Sequence, residues 1–306
     1  MDAMAEIQEA IRGREFGSLE ELNAFMRDLN DQRNRRPLED FHGLSSEQMH
    51  RFLHFPFESP ELVTFPTCLD SPPTAPIVTL FELLAAGIGE QGLKPTAKGN
   101  LPQKFVQEAA LVYGSKVEAR RLPPYVNVRN EQDLVDLNVA RIIAEASGLI
   151  RKSKSKFILG HDCRKILAKQ GLAGIYPRLL KAHAWKFNWA YWDGHPDLPM
   201  CQQSFLFTLY PLRRYGSQWR PMTFYEDAFL RAFPKLLEET PPTPYETAEG
   251  RIRHRYSYRC LEDFAGFLGL VEIERETEER FDLSFKVRSA PLLGQAVQFQ
   301  FPIGGG

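Results

Sequence analysis

The sequence predicts an α-rich α+β protein. Three observations lead to this fold class: two helix-start signals near the N-terminus, a repeated order of helix, short strands and helix, and an aromatic-rich stretch whose apolar residues recur at helical spacing. The chain has 306 residues, 43% of them hydrophobic, which is enough for more than one core. Because the predicted strands are few and short, helices dominate.

An N-terminal helical segment is predicted over residues 1–65. Ser18 and Ser45 each stand three residues before a Glu or Gln, so that the two side chains can satisfy each other's backbone N–H groups at a helix start. Apolar residues at helical spacing follow each signal. In the first helix we expect Leu22, Phe25, Met26 and Leu29 to be buried, and in the second Met49, Phe52 and Leu53.

A proline-rich joint at residues 65–76 leads to three stretches with a similar order of elements. Residues 74–116 contain a helix, one very short strand at Leu93 and a helix. Residues 125–173 contain a helix, two short strands around a basic turn and a helix. Residues 251–303 contain a helix, two strands with an acidic tip and the start of a helix. The recurrence predicts a structural repeat.

Residues 174–237 are predicted to form an aromatic-rich helical subdomain. We expect its aromatic side chains to form a hydrophobic core, because few positive charges are interleaved with them. The alternative is a platform on which bases stack. The aromatic residues at the start of this stretch are Trp185, Phe187, Trp189, Tyr191 and Trp192.

The segment VARIIAEASGLIRKSKSKFILGHDCRKIL, residues 139–167, resembles the second half of a winged-helix domain. That half consists of a helix, a hairpin with a charged tip, and a following helix. The Leu-Thr-x-x-Gly pattern that follows the wing in the family has counterparts at residues 94–99 and 159–163. The resemblance implies two or three winged-helix-like modules, namely residues 74–116, 125–173 and, more distantly, 251–303.

The resemblance places the predicted helix at residues 131–147 in the recognition position. We expect its exposed face to be mixed in charge, unlike the basic or amide-rich face that reads a major groove. Degenerate modules of this kind are typical of protein contacts. The residues expected on that face are Asp136, Asn138, Arg141 and Glu145.

The chain also resembles a set of uncharacterised bacterial proteins. The likeness is carried by RRPLEDFHGLSSEQMHRFLHFPFESPELV (35–63), GLKPTAKGNLP (92–102) and ARIIAEASGLIRKSKSKFIL (140–159). It implies a shared architecture and no activity.

Charge is distributed unevenly although the formal net charge is only −1. Residues 1–65 have a net charge of −6, whereas residues 141–190 carry 11 Lys and Arg against only Glu145 and Asp162. A local positive field can attract an anionic surface, so this region is a candidate nucleic-acid interface. The alternative is a solvated hairpin tip and helix face. The candidate residues are Arg151, Lys152, Lys154, Lys156, Arg164, Lys165 and Lys169.

A metal site is the second candidate. His50 and His54 stand at i and i+4, which puts both imidazoles on one helix face, and His42 and Cys68 are close in sequence as third and fourth zinc ligands. No Glu follows His50, so the pattern of zinc proteases is absent. The alternative role of these histidines is packing at a helix surface or interface.

These patterns predict a non-enzymatic interaction protein. Its partners are expected to be an unidentified protein and, through residues 151–169, DNA or RNA. The alternative is a metal-dependent enzyme or metal-binding protein that uses His42, His50 and His54; otherwise no cofactor is expected. The sequence has no apolar run of membrane-spanning length, which predicts a cytoplasmic location without membrane contact.

Overall fold

The computed structural model describes residues 3–116, 128–195, 198–275 and 284–301. The fold is α+β and mostly α, as predicted. The chain divides into two compact units, Met1–His50 and Arg51–Gly306. Within the described residues, no helix is both long enough and apolar enough to cross a bilayer.

Helices account for most of the regular structure. A 3₁₀ turn at Glu131–Asp133 and a π-helix at Ser257–Gly266 accompany the α-helices. The α-helices are α1 Ala3–Ile11, α2 Leu19–Arg35, α3 Ser46–His54, α4 Pro76–Ile88, α5 Gln103–Lys116, α6 Val135–Ala146, α7 His161–Trp185, α8 Ala190–Asp193, α9 Met200–Gln203, α10 Phe205–Tyr215, α11 Met222–Ala232, α12 Leu236–Glu239, α13 Ala248–Tyr256 and α14 Pro291–Ala296.

The strands are short and pair only in antiparallel fashion. They are β1 Val63–Thr64, β2 Ile150–Ser153, β3 Lys156–Leu159, β4 Arg220–Pro221, β5 Val271–Arg275, β6 Phe285–Ser289 and β7 Gln298–Phe299. They form a β1–β7 pair, a β2–β3 hairpin and a sheet in the order β4–β6–β5. Strands β5 and β6 lie where the third predicted stretch has its strands, and the acidic tip between them falls outside the described residues.

The predicted reciprocal capping is confirmed at Ser45 and only in part at Ser18, where the Glu21 carboxylate accepts from the backbone N–H of Gly17 at 2.8 Å instead. Ser18 Oγ accepts a hydrogen bond from the backbone N–H of Glu21 at 3.1 Å, which begins α2. At α3, Ser45 Oγ accepts from the N–H of Gln48 at 3.2 Å, and Gln48 Oε1 accepts from the N–H of Ser45 at 2.9 Å. These bonds satisfy backbone donors that the first helical turn leaves without partners.

The expected burial is confirmed for only part of these two helices. Met49 and Phe52 of α3 are buried, and Leu53 is half-buried. No α2 residue is buried; the apolar residues expected in its core are all half-buried, and Phe25 packs on Phe16 with ring centroids 5.5 Å apart. The unit Met1–His50 is small, and a small unit can enclose only a limited fraction of its apolar surface.

One pairing joins the first two predicted stretches. Leu93 and Phe157 exchange two backbone hydrogen bonds, of 2.9 and 2.8 Å. Gly92 permits this approach: its φ is +76°, and a Cβ there would lie 2.8 Å from the carbonyl oxygen of Phe157. The Leu93 backbone therefore lies beside β3 of the hairpin, and α4 packs on α6, α7 and β3.

The aromatic residues from the end of α7 onward divide between core and surface; the side chain of Trp192 lies outside the described ones. Phe187 and Trp189 are buried, and Trp189 lies 4.6 Å from Phe264 between ring centroids. This burial agrees with the expectation of a hydrophobic core. Trp185 and Tyr191, in contrast, are about half exposed, at 49% and 50%.

Candidate nucleic-acid interface

The β2–β3 hairpin presents the first part of the basic region. Arg151 pairs with Ile158, Lys152 with Phe157 and Ser153 with Lys156, so that Lys154 and Ser155 form the turn. Both turn residues have positive φ, of 45° and 57°, as a two-residue hairpin with the right twist requires. Residues 151–156 are all exposed. The hairpin tip is therefore open to solvent on both faces.

The hairpin is anchored by Phe157, which is fully buried. The Nζ of Lys152 lies 5.1 Å from the centroid of the Phe157 ring, and Lys156 Nζ donates a 3.0 Å hydrogen bond to the carbonyl of Gln91. These contacts orient two of the lysines without neutralising them. No carboxylate in the described part of the chain pairs with Arg151, Lys152, Lys154 or Lys156.

The start of α7 supplies the remaining basic residues. Arg164, Lys165 and Lys169 are exposed, and Arg164 donates from Nε and Nη2 to the carbonyl of Leu159 at 3.2 and 3.0 Å. Lys165 and Lys169 are four residues apart and share a helix face. These three side chains also have no carboxylate partner within the described residues. The seven candidate residues are thus exposed cations without a carboxylate partner in the described structure, and we name them together the basic surface.

The Gly-His-Asp-Cys tetrad at the junction between β3 and α7 has a structural role. Gly160 approaches the carbonyl of Gly148 too closely for a Cβ, and Asp162 lies in the first turn of α7, where a negative charge is favourable. Cys163 is fully buried, and burial raises the pKa of its thiol to about 11. The thiol therefore stays protonated and unreactive at neutral pH.

Helix α6 corrects one expectation. Asp136, Asn138 and Arg141, which we expected on an exposed face, are buried at 8%, 3% and 8% exposure, and Glu145 is half-buried. Burial extends to the charged residues of this helix because other elements supply polar partners. The face that would read a DNA groove is therefore closed.

Each buried polar group of α6 has a defined partner. Tyr113 of α5 donates a 2.8 Å hydrogen bond to Asp136, and Tyr191 of α8 donates one of 3.2 Å to Asn138. Arg141 forms an ion pair with Glu131, with an Nε–Oε1 distance of 2.9 Å. Arg141 also pairs with the half-buried Glu145. Burial alone would lower the pKa of Arg141, but the hydrogen bonds and charges of Glu131 and Glu145 together outweigh it and raise that pKa.

The metal candidates lie as follows. His50 and His54 are exposed on α3, His42 has a φ of +53° in the turn before it, and Cys68 Sγ donates to the carbonyl of Leu69 at 3.3 Å. Within the described residues, which include all four candidates, no group of three or more His, Cys, Asp or Glu side chains is placed to hold a metal ion. The i, i+4 spacing is thus present without a third ligand.

Comparison with known proteins gives one match. Residues 74–172 match the model of the Y4jL N-terminal domain, an uncharacterised family. The matched range begins just before α4 and ends within α7, so it contains the Leu93–Phe157 pairing and the whole basic surface. No curated protein and no solved structure matches the chain.

Sequence reasoning missed two features of this region. The pairing of Leu93 with Phe157 joins residues far apart in sequence, and only the glycine before Leu93 signals a close approach. The second is Glu131, which is fully buried and accepts hydrogen bonds from both Arg141 and the backbone N–H of Leu101. A charged residue at the first position of a helical turn gives no sequence signal of such burial.

Proposed function

We propose that residues 74–172 form a single degenerate winged-helix-like module that binds nucleic acid by its phosphates. In this proposal the protein is a non-enzymatic interaction protein. The order of elements supports the proposal: α4, the Leu93 bridge, α5 and α6 precede the β2–β3 hairpin, and Leu93 pairs with β3 where a third strand would lie. The hairpin then corresponds to the wing, and α6 occupies the recognition position.

The observation that carries the proposal is the basic surface itself. Seven exposed cations on one hairpin and the following helical turns have no carboxylate partner in the described residues. Each Lys or Arg that neutralises a phosphate releases a condensed counterion, so a surface of this kind binds a polyanion most strongly at low salt.

The closed face of α6 defines the mode of binding. Asp136, Asn138 and Arg141 are committed to partners inside the module, so no polar side chain of this face is available to base edges. Phosphate contacts position a protein on nucleic acid, and base contacts supply sequence specificity. We therefore expect binding that depends weakly on sequence and strongly on salt.

Salt titration tests the proposal. The probes are a labelled DNA duplex of 20 base pairs and a labelled single strand of 20 nucleotides. Their affinities for the protein, measured by fluorescence anisotropy at about 50 to 300 mM salt, should fall so that log affinity decreases linearly with log salt concentration. Each phosphate contact contributes about 0.9 to the slope, so the double variant Lys152→Glu/Lys154→Glu should lower the slope by about 2.

A matched control separates this effect from net charge. Lys104→Glu/Lys235→Glu makes the same charge change at two exposed lysines outside the basic surface, and it should leave the slope unchanged. Undetectable affinity at 50 mM salt would reject the proposal. The proposal would also be rejected if the two double variants weakened nucleic-acid binding equally, because binding would then depend on the net charge of the molecule and not on the basic surface.

A further inference from the structure

A groove of about 630 Å³ lies between residues 57–67 and the second half of α7. Its lining is mainly apolar and includes Phe57, Val63, Phe65, Tyr176 and Leu180. Val63, Tyr176 and Leu180 are buried, whereas Phe57 and Phe65 are half-buried. Its volume is in the range of sites that enclose small ligands, which are also mostly apolar with a few polar groups.

Three cations and no carboxylate line this groove: Arg178, Lys181 and Lys186, all exposed. Lys186 Nζ donates a 3.1 Å hydrogen bond to the carbonyl of Ala146, at the C-terminus of α6. Lys181 Nζ lies 4.7 Å from the centroid of the Phe57 ring. Arg178 makes no hydrogen bond or ion pair within the described residues. No carboxylate of the described residues therefore neutralises the positive charge of the groove.

A second groove shows the opposite arrangement. It has a similar volume, about 610 Å³, but it is lined by both signs of charge. Arg253 pairs with Glu226 at 3.3 Å, and Arg275 pairs with Glu262 at 2.7 Å. Arg253 and Arg275 in the second groove thus already have internal counter-ions, and of these two grooves the first is the one that combines an apolar surface with unpaired positive charge.

We propose that the first groove binds a small amphiphile with an apolar body and one anionic group, a carboxylate or a phosphate. The apolar body covers Phe57, Phe65 and Pro66, and its burial supplies the main driving force. The anionic group lies beside Arg178 and Lys181, where charge-assisted hydrogen bonds are about twice as strong as neutral ones. This site is distinct from the basic surface and does not depend on nucleic-acid binding.

Isothermal titration calorimetry with three probes of equal chain length tests the proposal. The probes are dodecanoate, dodecyl phosphate and dodecyltrimethylammonium, each kept below its critical micelle concentration. We expect at least one of the two anions to bind with a stoichiometry of one, at least tenfold more tightly than the cation. The stronger of the two anions then identifies whether the head group is a carboxylate or a phosphate.

Variants locate the binding. Arg178→Glu/Lys181→Glu should weaken binding of the anionic probe at least tenfold, because it reverses the charge of two of the three cations that line the groove. Thr67→Trp, at an exposed lining position, should also weaken binding of the anionic probe, because the larger side chain occupies the groove without changing its charge. Lys104→Glu/Lys235→Glu is the matched control, because it reverses two exposed lysines that belong neither to the groove nor to the basic surface, and it should change the Kd less than twofold.

Three results would overturn the proposal: neither anion binds, the cation binds as tightly as the anions, or the groove variants bind as tightly as the control. Thermal unfolding followed by circular dichroism verifies that each variant is folded before its affinity is read. The two groove variants act by different means, charge and volume. Loss of binding in both therefore assigns the site to this groove.

Discussion

Helix α6 and the β2–β3 hairpin are adjacent in the chain and both carry charged side chains, but their charges have opposite environments. On α6, Asp136 and Arg141 are buried and each has a polar partner. On the hairpin, Lys152 and Lys154 are exposed and have no acidic partner in the described residues. A buried charge costs free energy unless it is paired, whereas an exposed one remains hydrated and available. We therefore expect the first region to contribute to stability, and the second is the part of the molecule that we propose binds nucleic acid.

The largest effect is expected from breaking the buried ion pair. Glu131→Gln keeps the shape of the side chain but removes the buried charge paired with Arg141, which then has only the half-buried Glu145 as its counter-ion. The free energy of unfolding should therefore fall by about 3 kcal/mol, the lower end for a broken buried pair. Urea denaturation measures this change. Glu108→Gln, which removes one partner of the exposed pair with Lys104, should cost less than about 0.5 kcal/mol.

The double variant Glu131→Gln/Arg141→Met provides the internal control, since it removes both charges. It should recover part of the stability that Glu131→Gln loses, because the buried guanidinium is gone and the half-buried Glu145, which also paired with it, can be hydrated. A loss below about 1 kcal/mol for Glu131→Gln would show that the pair is not a stabilising feature, and the contrast between the two regions would then fail.

The next effect concerns a buried titratable group that has no polar partner. His183 is fully buried among the rings of Phe187, Trp189 and Phe264, and neither ring nitrogen has a hydrogen-bond partner in the described structure. Burial lowers the pKa of His183 from 6.5 to about 3. Between these values the unfolded chain takes up a proton that the folded protein excludes, so stability falls as pH falls.

The expected slope from His183 is about 1.4 kcal/mol for each pH unit below pH 6.5, or about 2 kcal/mol at pH 5. His183→Phe should remove this contribution. The free energy of unfolding of the unsubstituted protein and of His183→Phe is measured by urea denaturation at pH 7 and pH 5. The contribution of His183 is the difference between the changes that the two proteins show. Parallel pH dependences would mean that His183 can be protonated in the folded protein.

A smaller effect on stability is expected when the hydrogen bonds to buried polar residues of α6 are removed, and it should be larger for a buried donor than for a half-exposed one. Tyr113→Phe removes the 2.8 Å hydrogen bond to buried Asp136 and should cost about 1 to 2 kcal/mol. Tyr191→Phe removes the bond to Asn138, but Tyr191 is half exposed and water can replace its hydroxyl, so the cost should be about 0.5 kcal/mol. Denaturant midpoints measure both, and equal costs would contradict this order.

Local features of the fold were predictable from the sequence because they depend on neighbouring residues. The caps at Ser18 and Ser45 and the hairpin around Lys154 follow from short-range patterns. The pairing of Leu93 with Phe157 was not predictable, since a one-residue bridge leaves no periodic pattern. Long-range contacts depend on the tertiary fold, which local periodicity does not specify.

The candidate sites show the same limit. Exposure of the basic hairpin was predictable because a charged turn faces solvent on any surface. The burial of Asp136 and Arg141 was not, because a polar residue on a helix is expected to be exposed unless its partners are known, and Tyr113 and Glu131 belong to other elements. Likewise, the spacing of His50 and His54 defines a helix face, but a third ligand can come only from the tertiary fold.

The smallest expected effect distinguishes the contribution of the backbone conformation of the hairpin turn from the contribution of its charge. Ser155 has a φ of +57°, which costs about 1 kcal/mol or more for a residue with a Cβ, whereas glycine gains flexibility in the unfolded chain. Ser155→Gly should therefore raise the free energy of unfolding by about 0.5 kcal/mol and leave nucleic-acid affinity within twofold. Lys154→Glu should leave stability within about 0.5 kcal/mol and weaken the affinity. If Ser155→Gly instead weakens binding as much as Lys154→Glu, the shape of the turn rather than its charge makes the contact.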